Sequence, residues 1–496
     1  MEPFMLEEST ITQYHRAMKD GAVTCRHLVE DYLSRIEAYD QKGPKLNAVI
    51  TINPKALEEA DALDRKFVAG GLSGPLHGVP VMLKDNCDTM DMPTTGGSTS
   101  LEGFTPEDDA FITRRLREAG ALILAKTNLH EFAIWGETIS SILGQTLNPY
   151  DLTRTPGGSS GGTGASLASN FGLVGIGTDT INSIRSPASA NSLVGIRPTT
   201  GLVSRDGIIP YSFTQDTAGP ICRTVEDAVR VLDVIAGYDP ADAETAWSVG
   251  RVPPSYTTFL KKDGLTGKRI GVLESFFGAA AIHDETNTVV RNSIDAMKDT
   301  GGEIISLYEK IDSGYLVNEV SLHLHDLKDH LNTYLTALPK RALVHSVEEI
   351  LASGKYHPGI KDNLQKAVAL STGTPEYNQR LAKRSKLQTQ IMKLMADHRL
   401  DALVYPHQQQ LVCRIGGSQL ERNGVLGSVT GFPSFCVPAG FSAPSETAPI
   451  GVPIGMEILG RPFREITLIE IAYSFEQATQ YRKQPVSVPP LGKPRG

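Results

Sequence analysis

Short apolar runs of strand length alternate with segments of helical periodicity along most of this chain, and that alternation restricts it to a sheet covered by helices. "ALILAK" (121–126), "KRIGVLES" (268–275), "EIISLYEK" (303–310) and "DALVYP" (401–406) read as strands. Between them, "PEDDAFITRRLREAG" reads as a helix closed by Gly120, and "DETNTVVRNSIDAMKDTGG" as a second. "TVEDAVRVLDVIAG" reads as a third, with Thr224 as cap, Asp227 in the acidic first turn and Gly237 as stop. Near the start, Thr24 caps a helix running to about Tyr39, with Leu28, Tyr32, Leu33 and Ile36 at helical spacing. Strand–helix–strand units of this kind predict an α/β fold, its sheet parallel or mixed and buried on both faces.

With 496 residues, 40% of them hydrophobic, the chain can bury one large core. There is no internal repeat. Residues 1–75 read as an N-terminal helical segment packed on that core, 76–480 as the main domain, and 481–496 as a C-terminal tail, loosely ordered from "VSVPPLGKPRG" on. Residues 240–260 read as an irregular connection between two lobes, and 310–400 as helix-rich, polar and without evident chemistry. A net charge of −8 without any run of basic residues argues against nucleic acid as a partner. The acidic start lacks a signal-peptide pattern and no apolar run approaches a membrane span, so the expectation is a cytoplasmic protein with no membrane partner. The five cysteines are scattered without a C-x-x-C pair, which predicts reduced structural thiols and no metal centre.

The chemistry-bearing candidates cluster between residues 84 and 183. "TPGGSSGGTGAS" (155–166) concentrates five glycines and three serines, as expected where backbone approaches something closely. It is no phosphate-binding loop, because no lysine closes it. Gly157, Ser159 and Gly161 fit G-x-S-x-G, but Pro156 and two glycines stand where a nucleophile elbow needs its strand. Lys84 ends the apolar run "VPVMLK"; a desolvated lysine there sheds its proton more easily and can act as a base near neutral pH.

Read together, "VMLKDN", "PGGSSGGTGASLAS", "GTDTINSIRSPAS", "LVGIRPTTGLVS", "DTAGPICRTVEDA", "TGFPSFCVPAGFS" and "PIGMEILGRPF" resemble the amidase signature family of serine hydrolases, from about residue 10 to 480. The resemblance implies a single compact domain around a twisted mixed sheet, with helices on both faces. It implies hydrolysis of a carboxylic amide through an acyl-serine intermediate, with no metal or organic cofactor. By motif, Lys84 is the base, Ser159 the bridging serine and Ser183 the nucleophile. These roles suit the residue types, since a hydroxyl both donates and accepts and so relays a proton between lysine and nucleophile. The resemblance also implies a non-proline cis peptide, placed here before Ser160, and a structural role for Asp179 and Arg185 in holding the nucleophile's loop.

The chain departs from the family's pattern just before the nucleophile, where Ile181-Asn182 replaces Gly-Gly, in a variant that resembles a fungal-type subfamily. The backbone N–H groups of Thr180, Ile181, Asn182 and Ser183 are the expected oxyanion hole. Asn182 is expected to tolerate a positive φ there, and Ile181 to keep an ordinary negative one. Ala133, Ile134 and Trp135, in "HEFAIWGETISSILGQT", are expected beside the substrate, the tryptophan favouring hydrophobic or aromatic groups. His407, after the last strand noted above, reads as a loop histidine without a catalytic role. The expected partner is a small or medium amide, with self-association into a homo-oligomer open. Two other functions stay open: a glutaminase-like A subunit of a tRNA-dependent amidotransferase, and a catalytically silent small-molecule-binding protein.

Overall fold

A computed structural model describes residues 4–492. Thirteen strands form in chain order: β1 (Val49–Ile52), β2 (Pro80–Lys84), β3 (Leu122–Thr127), β4 (Ile139–Ser140), β5 (Gly144–Gln145), β6 (Val174–Asp179), β7 (Val194–Arg197), β8 (Thr217–Cys222), β9 (Arg269–Leu273), β10 (Glu303–Leu307), β11 (Ala402–Pro406), β12 (Ser434–Phe441) and β13 (Pro453–Leu459). β4 and β5 make a small hairpin. The other eleven join one sheet in the order β1-β3-β2-β6-β8-β7-β12-β13-β11-β9-β10. Its pairing is mixed, with β2 parallel to both β3 and β6 while β8 runs antiparallel to β6.

β2, β3 and β6 are buried at every position, as strands in a sheet covered on both faces should be. The helix Gly161–Ala168 packs on β2 and β6, and Arg185–Ala190 on β7, β12 and β13. Small strand residues allow this approach: a Cβ at Gly175 would lie 2.5 Å from Thr163, and one at Gly195 2.7 Å from Ala188. Caps act where the sequence placed them, Thr24 accepting from the His27 N–H and Thr224 from the Asp227 N–H, both at 3.1 Å.

Three expectations change. The N-terminal segment is not only helical, since β1 pairs with β3 at the sheet edge. Residues 240–260 form short turns that lead into β9, a strand of the same sheet, so they separate no lobes. The start of the C-terminal tail is tied down: Val488 is buried, and the Val488 and Pro489 carbonyls accept from Arg35 at 2.9 and 3.1 Å. Residues 493–496 of that tail lie outside the described residues. All five cysteines are free, four of them buried. Among the described residues no helix is long and apolar enough to cross a membrane.

Candidate active site

The site lies beyond the carboxyl ends of the parallel strands β2 and β6, where loops leave the sheet and polar groups converge. Lys84 is the last residue of β2 and is fully buried. Its Nζ donates to Ser159 Oγ and to Thr178 Oγ1, each at 2.8 Å. Thr178 Oγ1 also accepts from Asn86 Nδ2 at 3.1 Å. Burial in these uncharged surroundings brings the Lys84 ammonium down from 10.5 to about 7, the more distant carboxylates of Asp179 and Asp216 opposing the shift. An amine so placed exchanges its proton near neutrality.

Ser159 enters just ahead of the helix Gly161–Ala168. The cis peptide is Gly158–Ser159, one bond earlier than the sequence reading put it. Ser183 sits on the loop between β6 and the helix Arg185–Ala190, and its carbonyl accepts from the Ser160 N–H at 3.3 Å. That bond sets the two serine segments side by side.

The loop's carbonyls are all occupied. Thr180 O accepts from Gln215 Nε2 at 3.1 Å, Ile181 O from Arg185 Nη2 at 3.0 Å and from Ser428 Oγ, and Asn182 O from the Ser186 N–H at 2.7 Å. Among the described residues, no protein acceptor takes the N–H groups of residues 180–183. Neither Ile181 nor Asn182 is among the residues with positive φ, so Asn182 needs no left-handed backbone and a side chain is accommodated without strain. Ile181 is buried in an apolar cluster with Tyr405, Val425 and Leu426. The unusual backbone lies instead in the neighbouring segment, where Phe132 and Ala133 take φ of 50° and 60°.

A buried ion network frames the loop, in keeping with the structural role expected of Asp179 and Arg185. Arg185 donates to Asp179 through Nε at 3.0 Å and Nη2 at 3.1 Å, and to Glu457 Oε2 through Nη1 at 2.7 Å. Arg197 Nη1 adds a bond to Asp179 Oδ1 at 3.0 Å. Burial alone would raise the Asp179 carboxyl, but the two guanidiniums outweigh it and hold the group well below the usual carboxylate range. Glu457, likewise buried, is drawn down to about 2 by Arg185 and His407. His407 lies in the loop that follows β11 and is fully buried there, with Nδ1 2.6 Å from Glu457 Oε1. A Cβ at Gly424 would lie 2.9 Å from His407 Cε1 and 3.0 Å from Asn182 Cβ, so these side chains are neighbours.

The residues expected at the substrate divide. Ala133 lines a cavity with Asn86, Thr178, Thr180 and Tyr211. Ile134 is buried with Phe132, Ile209 and Tyr211 against the helical segment 323–367, which thereby walls this side. Trp135 is 39% exposed, its Nε1–H donating to Ser418 Oγ at 3.2 Å and the Arg422 guanidinium lying 5.5 Å from its ring centre. Sequence reasoning missed Thr178, which reads as an ordinary β-branched strand residue, and Gln215 and Asp216. Asp216 accepts from Thr180 Oγ1 at 2.6 Å; Asp216 opens the motif "DTAGPIC" and Gln215 stands just before it, the one signal that could have found them.

Comparisons with known proteins bear on this arrangement. The Amidase family model matches residues 27–469. A probable amidase of Arabidopsis thaliana is 37% identical, covering 97% of this chain and 92% of its own. In a Synechococcus strain, the A-type subunit of glutamyl-tRNA(Gln) amidotransferase is 33% identical, over 98% of this chain and 94% of that one. The crystal structure of native peptide amidase from Stenotrophomonas maltophilia superposes with a TM-score of 0.87 at 38% identity, covering 97% of this chain and 99% of that one. Fold and sequence thus place the chain in the amidase family, enzymes that hydrolyse amide bonds.

Proposed function

We propose that this amidase works through an acyl-Ser183 intermediate, with Ser159 as proton relay and Lys84 as base. The observation that carries the reading is the buried Lys84 amine, which meets hydroxyls rather than a carboxylate and donates to Ser159 Oγ at 2.8 Å. Neutral Lys84 accepts the Ser159 proton while Ser159 accepts that of Ser183, and Ser183 Oγ bonds to the amide carbon. The N–H groups of residues 180–183 face the developing oxyanion, a contribution of about 3–4 kcal/mol per donor. As the tetrahedral species collapses, the C–N bond breaks and the proton returns through Ser159 to the leaving nitrogen. Water then releases the acid by the same route reversed.

The substrate is a small or medium amide with a hydrophobic or aromatic portion, placed against Ala133, Ile134 and Trp135. An unchanged substrate profile in Trp135→Ala would sink that assignment. The test of the mechanism is intact mass and peptide mapping after fluorophosphonate treatment. The adduct is expected on Ser183 and absent from Ser183→Ala and Lys84→Ala; an unlabelled wild-type protein would instead point to a silent binding protein.

A second reading, a glutaminase-like A subunit of a tRNA-dependent amidotransferase, is favoured by the 33% identity to such a chain. It predicts glutamine as the sole substrate and co-purification with partner chains.

A further inference from the structure

Ser418 and Arg422, from the segment that follows β11, both reach the Trp135 side chain. Arg422 is partly buried, stacked 5.5 Å from the Trp135 ring centre, with Nη1 so close to Gly136 that a Cβ there would stand 2.7 Å from it. Gly136 in turn presses on Gly158, where a Cβ would meet the Gly136 carbonyl carbon at 2.8 Å. Only the thickness of two glycine backbones therefore separates the guanidinium from Ser159.

Among the described residues, the Arg422 side chain has no hydrogen bond and no carboxylate within 4.0 Å. The neighbouring carboxylate, Glu137, is already engaged. Its Oε1 accepts from the Gln419 N–H at 2.8 Å, and its Oε2 accepts from the Gly136 N–H at 3.2 Å and lies 3.4 Å from His130 Nδ1. The guanidinium keeps contact with water, none of its nitrogens being among the buried atoms that lack a partner, and so stays open to a ligand; the group that meets its fork of donors best is a carboxylate held by two parallel bonds. Tyr211 and Cys413, its other polar neighbours, are neutral near pH 7.

Resting on the amidase reading above, the structure assigns Arg422 as a specificity residue that binds a carboxylate carried by the substrate away from the scissile amide, with Trp135 forming the flat side of that subsite. Substrates are then amides that also bear a free acid group.

The test uses dicarboxylic acid monoamides of graded length and matching amides ending in a hydroxymethyl group. Two readouts separate the subsite from the chemistry. In the wild-type enzyme, kcat/KM is expected to favour the best acid-bearing amide at least tenfold, and Arg422→Gln to bring that ratio near one, with Arg422→Lys between. In Ser183→Ala protein, calorimetry reads binding without turnover. The acid-bearing amide is expected to bind at least tenfold tighter than its neutral match, and Arg422→Gln in that background to erase the difference. Equal affinity for the two amides in Ser183→Ala protein, or an equal loss for both on Arg422→Gln, overturns the assignment. Absent turnover with intact charge-selective binding would fault the acyl-serine reading and leave the subsite standing.

Discussion

Two of the fully buried cations beside residues 178–183, Lys84 and Arg185, are partnered in opposite ways. Lys84 meets the hydroxyls of Ser159 and Thr178. Arg185 meets the carboxylates of Asp179 and Glu457 and, through its remaining donors, the Gly424 and Ile181 carbonyls. Desolvation acts against both charges. Uncompensated, it brings Lys84 to about 7; the two carboxylates more than reverse it for Arg185, whose charge is held more firmly than in water. Equal depth thus produces a proton that can move and a charge that cannot. Two more buried cations belong with Arg185: Arg197, bonded to Asp179 at 3.0 Å, and Lys126 on β3, whose Nζ lies 3.4 Å from Asp85 Oδ1.

The sharpest way to break this contrast is to exchange the consequences of losing each side. Ser183→Ala is expected to lower kcat on the order of 10⁴-fold or more, and Lys84→Met about 10²–10⁴-fold. Both should leave the folded state intact by circular dichroism and thermal melting. Arg185→Met should do the reverse first: it leaves Asp179 and Glu457 buried without their shared cation, so the unfolding free energy should fall by about 3–5 kcal/mol in urea titration. If Lys84→Met proved the more destabilising of the two, the distinction would fail.

Titration sharpens the same comparison. Only neutral Lys84 accepts a proton, so kcat/KM should rise with pH up to about 7 and level off above it. The folded chain loses this proton at about 7 and the unfolded chain near 10.5, so between those values the unfolded state binds one proton more. Stability contributed through this group therefore rises with pH across that window, and Lys84→Met should flatten the rise in pH-dependent melting. The smallest effect is expected at Asn182. Asn182→Gly restores the family residue where the backbone does not need it, so Ser183 labelling should persist while stability drops by about 1 kcal/mol from added unfolded-state freedom.

The sheet was readable because strands such as β2, β3 and β11 carry short apolar runs, and the helices because their caps are local. Lys84 was recognisable as desolvated from its position at the end of such a run. What escaped was set by partners distant in sequence. Nothing near His407 announces Glu457, fifty positions on. Residues 240–260 look like a linker until β9 is seen to join the same sheet. Glycine is usual at Asn182, which suggested a positive φ that asparagine would tolerate, whereas the carbonyl anchors from Gln215, Ser428 and Ser186 settle the loop in an ordinary conformation. Arg422 gave no signal, because an unpaired guanidinium can be recognised only after every candidate partner has been located.

The loop of Ser183 is held by partners far downstream in the chain. Lys84, Ser159 and Ser183 all precede residue 184, yet Ile181 is held by Ser428, and Arg185 is fixed in part by Glu457. A product of a shortened gene could carry the whole recognisable motif and remain mute for want of its last third. During synthesis, too, the serine would stay unarmed until that portion had emerged and folded back, sparing the cell a half-made hydrolase.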